Sequence, residues 1–141
     1  MTDSDATHPH EIECKLPISD RTRYAGALRK LGARDKGDRL EQNWCLDDAN
    51  GTLERECRLL RLRRDNAGTL TYKGPVLEGG EYRRREELEV EVQDIDTLRL
   101  ILQRLGYRQT WYYEKRRHAW HYRDCEVLLD ELPDIGCWIE V

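Results

Sequence analysis

Alternation between charged and apolar side chains is the feature that most constrains how this chain can fold. In the segment HEIECKLP, residues 10–17, the charged residues Glu11, Glu13 and Lys15 occupy every second position. Successive side chains of a β-strand point to opposite faces, so these charges share one face and apolar groups share the other. The segment therefore predicts a strand with one charged face, which meets either solvent or a ligand.

The same pattern recurs along the chain and predicts a protein rich in antiparallel strands. Further strands are predicted in RLEQNWCLDD, ECRLLRLRRD, GTLTYKGP, RRREELEVEV, TWYYEKRRHAWHY, DCEVLLDEL and GCWIEV. Most of them combine an apolar face with charges at alternate positions. The charges in these rows are Arg61, Arg63, Lys73, Arg85, Glu87, Glu89, Lys115, Arg117, Asp130 and Glu140.

Two segments with apolar residues at helical spacing, SDRTRYAGALRKLGA and DIDTLRLILQRLGY, are predicted to form helices. Ser19 or Asp20 is the candidate N-cap of the first helix, and Asp94 or Asp96 is that of the second. Each segment reaches a glycine near its end, the residue most common just after a helix. A loop is expected around DANGT, residues 48–52. These elements together predict an α+β fold.

Composition limits the classes to which the chain can belong. Its 141 residues suffice for one domain, which we assign to residues 10–141 behind a disordered tail of residues 1–9. The 24 Lys and Arg residues against 28 Asp and Glu residues give a formal net charge of −4, which argues against nucleic-acid or membrane partners. Apolar runs are too short to span a membrane, and the five cysteines form no CxxC pair. We therefore expect reduced thiols in a cytoplasmic protein.

Two architectures fit the charged strand faces. An open sheet would leave the charges in water, where cross-strand ion pairs add a little stability. A closed barrel with helices on its apolar outside would bury them in a lumen, which is costly unless the charges are paired or bind a ligand. Arginine and lysine match phosphate oxygens, and carboxylates match divalent cations such as Mg²⁺ or Mn²⁺. A lumen with both kinds of charge therefore predicts binding of a metal-bound polyphosphate.

The order of these motifs resembles that of the CYTH superfamily, also called triphosphate tunnel metalloenzymes. EIECK is similar to the N-terminal E-x-E-x-K signature of the family. LLRLRR, LTYKGP, RREELEVEV, YEKRR and VLLDELPDIGCWIEV resemble its later strands in the same order. The family includes class IV adenylyl cyclases, thiamine triphosphatases and inorganic triphosphatases. The resemblance implies an antiparallel eight-stranded barrel, closed or nearly closed, with helices packed outside.

The resemblance also implies roles for individual residues. The implied ligands of Mg²⁺ or Mn²⁺ are Glu11, Glu13, Glu87, Asp130 and Glu140. The implied triphosphate-binding residues are Lys15, Arg61, Arg63, Lys73, Arg85, Lys115 and Arg117. Lys15 and Lys73 are the candidate catalytic residues. A lysine whose pKa is depressed by neighbouring cations, such as Lys73 among other cations, could serve as a general base.

Three activities fit this expected site. Hydrolysis of a triphosphate, such as tripolyphosphate, ATP or thiamine triphosphate, demands least of the site and is our leading hypothesis. Cyclisation of ATP to cyclic AMP and pyrophosphate is the second, and binding of polyphosphate or nucleotide without turnover is the third. Aromatic side chains that could stack on a base are Trp44, Trp111, Tyr112 and Tyr113, although such residues are more often part of strands and cores.

The C-terminal end departs from the family pattern. The last strand of the family usually continues as E-x-E into a helical segment, whereas here the sequence stops at WIEV, residues 138–141. We therefore expect a domain that is short at its C-terminus, through truncation or as a shortened member with an open trough. A second chain, as in a homodimer, could complete the barrel.

Overall fold

A computed structural model describes residues 10–79 and 82–141, so the tail predicted at residues 1–9 lies outside the described residues. The described residues form nine strands and three helices. The strands are β1 (His10–Glu13), β2 (Lys15–Ile18), β3 (Arg34–Asp47), β4 (Leu59–Arg64), β5 (Gly68–Lys73), β6 (Arg83–Val92), β7 (Arg108–Tyr122), β8 (Cys125–Leu132) and β9 (Gly136–Glu140). The helices are α1 (Arg21–Lys30), α2 (Thr52–Arg55) and α3 (Ile95–Arg104).

All of these strands belong to one antiparallel sheet that closes on itself. The order is β1-β6-β5-β4-β3-β7-β8-β9-β2, so β1 and β2 stand at opposite ends of the sheet although only Cys14 separates them in the chain. At this seam Cys14 and Val141 exchange backbone hydrogen bonds of 2.9 and 3.0 Å. The nearly closed barrel predicted from the sequence is confirmed, and the open sheet and open trough are wrong.

The segment predicted as a single N-terminal strand is two strands because its halves have different partners. Glu11 pairs with Arg85 of β6, whereas Lys15 pairs with Glu140 of β9. Glu11, Glu13 and Lys15 nevertheless keep the alternation expected from the sequence, and all three line the lumen. The division explains why the barrel has nine strands where the family resemblance implied eight.

Two of the helices cover the apolar outside of the barrel, as predicted. Leu28 of α1 belongs to a buried cluster with Trp120 and Leu129 of the sheet. On another part of the sheet, Ile95 at the start of α3 packs with the buried Leu62. The apolar faces of these strands therefore point outward into helix contacts, which leaves the charged faces for the lumen.

The helix boundaries follow the predicted capping residues. Asp20 accepts a hydrogen bond of 2.8 Å from the backbone N–H of Thr22, and Asp94 accepts one of 2.9 Å from Thr97. Asp20 and Asp94 are thus the N-caps, each one of the two candidates named for its helix. After α3 the backbone of Gly106 turns with φ of +101°, which an L side chain rarely adopts.

The predicted loop around residues 48–52 contains the start of α2, a short helix that the sequence pattern missed. Asp47, buried at the end of β3, accepts hydrogen bonds of 3.0 Å from the backbone N–H groups of both Leu53 and Glu54. One carboxylate therefore satisfies two donors of the first helical turn. No helix among the described residues is long and apolar enough to cross a membrane, and all five cysteines, which lie in the described part, are free.

Candidate functional site

The barrel encloses a cavity of about 430 Å³ that is lined mainly by charged side chains. Its charged lining consists of Glu11, Glu13, Lys15, Arg39, Arg61, Arg63, Lys73, Arg83, Arg85, Glu87, Glu89, Lys115, Arg117, Glu126 and Glu140. Every charged residue that the sequence predicted for the site lines this cavity except Asp130, which lies fully buried behind it. Of the four aromatic candidates, Tyr113 lines the cavity. Strand alternation therefore brought the predicted residues together.

Three carboxylates form a compact group on the wall made by β1 and β9. Oxygen atoms of Glu11, Glu13 and Glu140 all lie within 4.8 Å of one another. Glu87 and Asp130, also predicted as metal ligands, lie outside this group of described residues. Hard carboxylate oxygens at this spacing suit a divalent cation such as Mg²⁺ or Mn²⁺.

The electrostatics of this group also favour a cation. Burial raises the pKa of Glu11, and the neighbouring carboxyl group of Glu87 raises it further. Burial likewise raises the pKa of Glu13, and the charges of Glu11 and Glu140 add to the effect. Burial acts in the same direction on Glu140, but Arg117 and other cations outweigh it and its pKa is lowered. A divalent cation would relieve the repulsion among the three carboxylates.

The two candidate catalytic lysines flank the carboxylate group. Lys73 forms ion pairs with Glu11 and, at 3.0 Å, with Glu87. The Nζ atom of Lys15 lies 3.7 Å from an oxygen of Glu140. The ion-pair partners of Lys73 are thus carboxylates, while Arg61 and Arg85 line the same cavity as this lysine.

Arginines crowd the part of the lumen next to this group. Burial lowers the pKa of Arg63, and the nearby charge of Arg61 lowers it further. Burial and the charge of Arg83 lower the pKa of Arg85 in the same way. The buried Nε atoms of Arg61 and Arg85 have no hydrogen-bond partner among the described residues. Unpaired buried donors are costly, and an anion in the cavity would supply their acceptors.

A buried ion network lies behind the lumen cations. We call the cations predicted to bind the triphosphate the clamp: Lys15, Arg61, Arg63, Lys73, Arg85, Lys115 and Arg117. Asp130 accepts hydrogen bonds from Lys115 Nζ at 2.9 Å and from Arg117 Nε and Nη2 at 2.7 Å each. Burial tends to raise the pKa of Asp130, but the hydrogen bond and charge of Arg117 outweigh it and hold the pKa below its ordinary value. Burial, with the charge of Arg117, lowers the pKa of Lys115 to about 8. The lysine with a strongly depressed pKa is therefore Lys115.

Glu41 is the main residue of the site that sequence reasoning missed. Its carboxylate is fully buried, and the charged nitrogens of Arg39, Arg63, Lys115 and Arg117 lie 3.4 to 3.8 Å away. It therefore provides negative charge behind the arginines. The signal was present, since Arg39, Glu41 and Asn43 alternate in RLEQN as charges do in the other strands.

Arg83 and Glu126 were also missed, although each shares the alternation of its strand. Arg83 precedes Arg85 by two positions in β6, and Glu126 precedes Leu128, another lining residue of β8, by two. Glu89, one of the alternating charges of the predicted strands, lines the lumen and accepts a hydrogen bond of 2.9 Å from Thr71 Oγ1. The lumen is thus more densely charged than the motifs alone indicated.

Known proteins share both sequence and fold with this barrel. Residues 9–141 match the CYTH domain family. A Methanocaldococcus jannaschii protein named a "putative adenylate cyclase" is 26% identical over 132 residues, which cover 93% of this chain and 75% of that protein.

Solved structures agree with this assignment. An X-ray structure of a "putative adenylate cyclase" from Vibrio parahaemolyticus has a TM-score of 0.82 at 18% identity, over 93% of this chain and 73% of that chain. A Hippeastrum "putative adenylyl cyclase", reported with a dominant triphosphatase activity, has a TM-score of 0.70 at 18% identity, over 92% of this chain and 77% of that chain. At such low identity these two likenesses concern the fold alone. Because the family match spans nearly the whole chain, the protein belongs to the CYTH domain family.

Proposed function

We propose that this protein is a divalent-metal-dependent enzyme that binds a triphosphate group in the barrel lumen and hydrolyses it. One observation carries the proposal: a compact group of three carboxylates faces the same cavity as a dense set of arginines and lysines. Members of the CYTH domain family are generally metal-dependent enzymes that act on triphosphates. Hydrolysis is the leading reaction because it requires no second reactive group on the substrate.

Glu11, Glu13 and Glu140 are the residues that would hold the metal, since their oxygens are close together and hard. A bound Mg²⁺ or Mn²⁺ supplies positive charge that stabilises the negative charge developing on the phosphate oxygens. The metal roles of Glu87 and Asp130 remain predictions. The contacts of Asp130 with Lys115 and Arg117 support a different role, in which its carboxylate holds these two cations.

The cations of the lumen would bind and orient the triphosphate. Arg61 and Arg85 offer unpaired buried Nε donors, which a phosphate oxygen can accept. Arg63 and Lys115 add positive charge at partly desolvated positions, where it acts more strongly than in water. Preorganised charge of this kind is the main contribution that a protein makes to phosphoryl transfer.

Lys15 and Lys73 are the candidates for contact with the phosphoryl group that is transferred. Both adjoin the carboxylate group that would hold the metal, Lys15 through Glu140 and Lys73 through Glu11. Each would therefore donate hydrogen bonds near the reacting phosphorus and stabilise negative charge on the non-bridging oxygens of the transferred phosphoryl group.

Cyclisation of ATP to cyclic AMP and pyrophosphate is the second candidate function. The names of the relatives favour it, because the Methanocaldococcus and Vibrio proteins are both called adenylate cyclases. The Hippeastrum protein, by contrast, is reported with a dominant triphosphatase activity. The same clamp suits both reactions, which differ in the phosphorus that is attacked and in the attacking oxygen.

³¹P NMR distinguishes these functions. The protein is incubated with Mg²⁺ or Mn²⁺ and either tripolyphosphate or ATP, with an EDTA-treated sample as the control. Orthophosphate release that depends on metal is expected from the proposal. Pyrophosphate together with a cyclic phosphate resonance from ATP would replace hydrolysis with cyclisation. If no product forms, substrate resonances that shift or broaden when the protein is added to the EDTA-treated, metal-free sample would indicate binding without turnover.

Two variants test the residues within the same assay. Glu11→Gln removes one charge from the carboxylate group and is expected to weaken metal-dependent turnover at least tenfold, roughly the loss that accompanies a damaged metal site. Arg63→Ala is expected to weaken triphosphate binding, whereas the control Arg64→Ala is not, because Arg64 faces the outside and pairs with Asp96. Equal binding by the two arginine variants would contradict the clamp.

A further inference from the structure

A second cavity opens at one end of the lumen, and the residues assigned above leave most of it unexplained. Its volume is about 810 Å³, and it shares Leu59, Arg83 and Arg85 with the lumen cavity, so that the two spaces adjoin. Its apolar lining includes Leu53, Leu59, Pro75, Val76 and Trp111. The character of the wall thus changes from charged in the lumen to largely apolar at this end.

One face of β7 carries this change along its length. Pairing with β3 sets Trp111 opposite Cys45 and Lys115 opposite Glu41, so both side chains belong to the row that faces the two cavities. At a rise of about 3.4 Å per residue, Trp111 lies roughly 14 Å along the strand from Lys115. Between them, the hydroxyl of Tyr113 lies 3.5 Å from Arg61 Nη1. A ligand anchored among the cations can therefore extend along this row to the indole.

Trp111 has the properties of a stacking platform for such a ligand. Its side chain is 62% exposed although it is large and apolar, whereas tryptophan is usually well buried. Tyr112, the next residue, points to the outer face and packs on Trp44 instead, with ring centroids 5.5 Å apart. Trp111 lines the second cavity, so a planar ring that entered the cavity could contact the indole.

We propose that this cavity binds the nucleoside of a nucleoside triphosphate, with the base stacked on Trp111. The inference rests on the proposed function, because it assigns a place to the organic part of the triphosphate. A volume of about 810 Å³ lies within the roughly 300–1,000 Å³ of small-molecule sites, which are mostly apolar with a few polar groups. An inorganic triphosphate has no apolar surface, so this end of the barrel would contribute nothing to its binding.

The charges around the cavity favour a neutral base over a cationic ring. Arg83 and Arg85 lie where the cavity meets the lumen. Arg55 and Arg58 also line the cavity, so that four arginines face three acidic residues, Asp47, Glu54 and Glu56. Asp47 already accepts hydrogen bonds from backbone N–H groups of α2, and Glu56 forms an ion pair with Arg58. The arginines would therefore repel a cationic ring such as a thiazolium, whereas a neutral nucleobase would not be repelled.

Isothermal titration calorimetry with two matched probes tests this inference. The probes are the bis-methylene analogue of ATP and bis-methylene triphosphonate, in which carbon bridges prevent hydrolysis and cyclisation. Each is titrated in the presence of Mg²⁺ into the wild type and into Trp111→Ala. Tyr112→Ala is the control, because it removes an aromatic ring from the adjacent position on the opposite face. Val76→Trp fills the cavity from a different segment.

Trp111→Ala is expected to weaken binding of the ATP analogue about tenfold or more, the loss typical of one base–aromatic stack. Its affinity for the triphosphonate should stay within about twofold of the wild-type value. Val76→Trp should have the same selective effect, and Tyr112→Ala should affect neither probe. Unchanged affinity for the ATP analogue in both cavity variants, or equal losses for both probes, would overturn the inference while the clamp stands. If neither probe binds the wild type, the proposed function itself fails, and the inference with it.

Discussion

Asp130→Asn tests whether the buried ion network holds the barrel together. Asp130 is fully buried and accepts three hydrogen bonds from charged donors, one from Lys115 and two from Arg117. Asparagine has almost the same shape but no charge, and its amide group presents donors to cations that have only donors. Lys115 would then keep only Glu41 at 3.7 Å, and Arg117 would keep Glu140 at 3.4 Å and Glu41 at 3.8 Å, all longer contacts than those with Asp130.

The expected cost is large for a single isosteric change. Removing one partner from a buried ion pair destabilises a protein by about 3–5 kcal/mol. At roughly 3 °C per kcal/mol for a chain of this size, the melting temperature should fall by about 9–15 °C. Urea unfolding followed by circular dichroism gives the free energy of unfolding directly, and calorimetry gives the melting temperature.

Glu131→Gln is the matched control, since Glu131 is the next residue of β8 and faces outward. Its side chain is 55% exposed, and its partner Arg21 lies 4.0 Å away. Exposed pairs of this kind contribute at most about 1 kcal/mol. If Asp130→Asn costs no more than Glu131→Gln, the network does not stabilise the fold and the reasoning from burial is wrong.

Three further changes follow from the same structure. The folded-state pKa of Asp130 lies below its ordinary value of 3.8. The stabilisation from its ionised carboxylate is therefore present above that value and is lost as the pH falls. In urea titrations, the difference in stability between wild type and Asp130→Asn should shrink below about pH 4. Gly68→Ala would place a Cβ 2.3 Å from the backbone oxygen of Val92, and calorimetry should show a loss of roughly 1–3 kcal/mol. Leu62→Ala removes a side chain with no exposed surface beneath α3, and urea unfolding should show a loss of about 2–5 kcal/mol.

Each of these has its own control. If the stability difference between wild type and Asp130→Asn does not change with pH, the folded state does not depend on an ionised Asp130. Gly26→Ala in α1 meets no atom within 4 Å and should stabilise by about 0.5–1 kcal/mol, so a similar gain at Gly68 would contradict the close contact. Leu40 is 50% exposed, and a loss at Leu40→Ala equal to that at Leu62→Ala would contradict the packing of α3.

Local regularities of the chain predicted the faces of the strands. Alternation is a property of each strand by itself, so the inward rows of Glu11 and Glu13, of Arg61 and Arg63, and of Lys115 could be read before any pairing was known. Helix starts were equally local, because a single aspartate satisfies the first N–H groups. The charge pattern also favoured a lumen once both signs recurred on the same faces.

Pairing and neighbourhood, by contrast, depend on long-range contacts that one sequence does not display. The division of the first strand at Cys14 follows from two different partners, β6 and β9. The carboxylate neighbours of Lys73 come from β1 and β6, so its surroundings could not be inferred from GTLTYKGP alone. Glu41 had the right alternation, but its position behind four cations depends on how β3, β4 and β7 pack.

The seam at Cys14 and Val141 also bears on how the protein folds. The barrel closes when the first strands described meet the last one. This step brings together residues that lie further apart in the sequence than those of any other strand pairing. The entropy lost in closing such a long loop makes the step slow. Until then β6 and β9 are edge strands with unpaired backbone groups, open to other chains. Arg85 and Glu140, which face inward beside these edges, carry charges that oppose wrong pairing. The residues proposed to bind the triphosphate and the metal would thus also protect the unfinished barrel from aggregation.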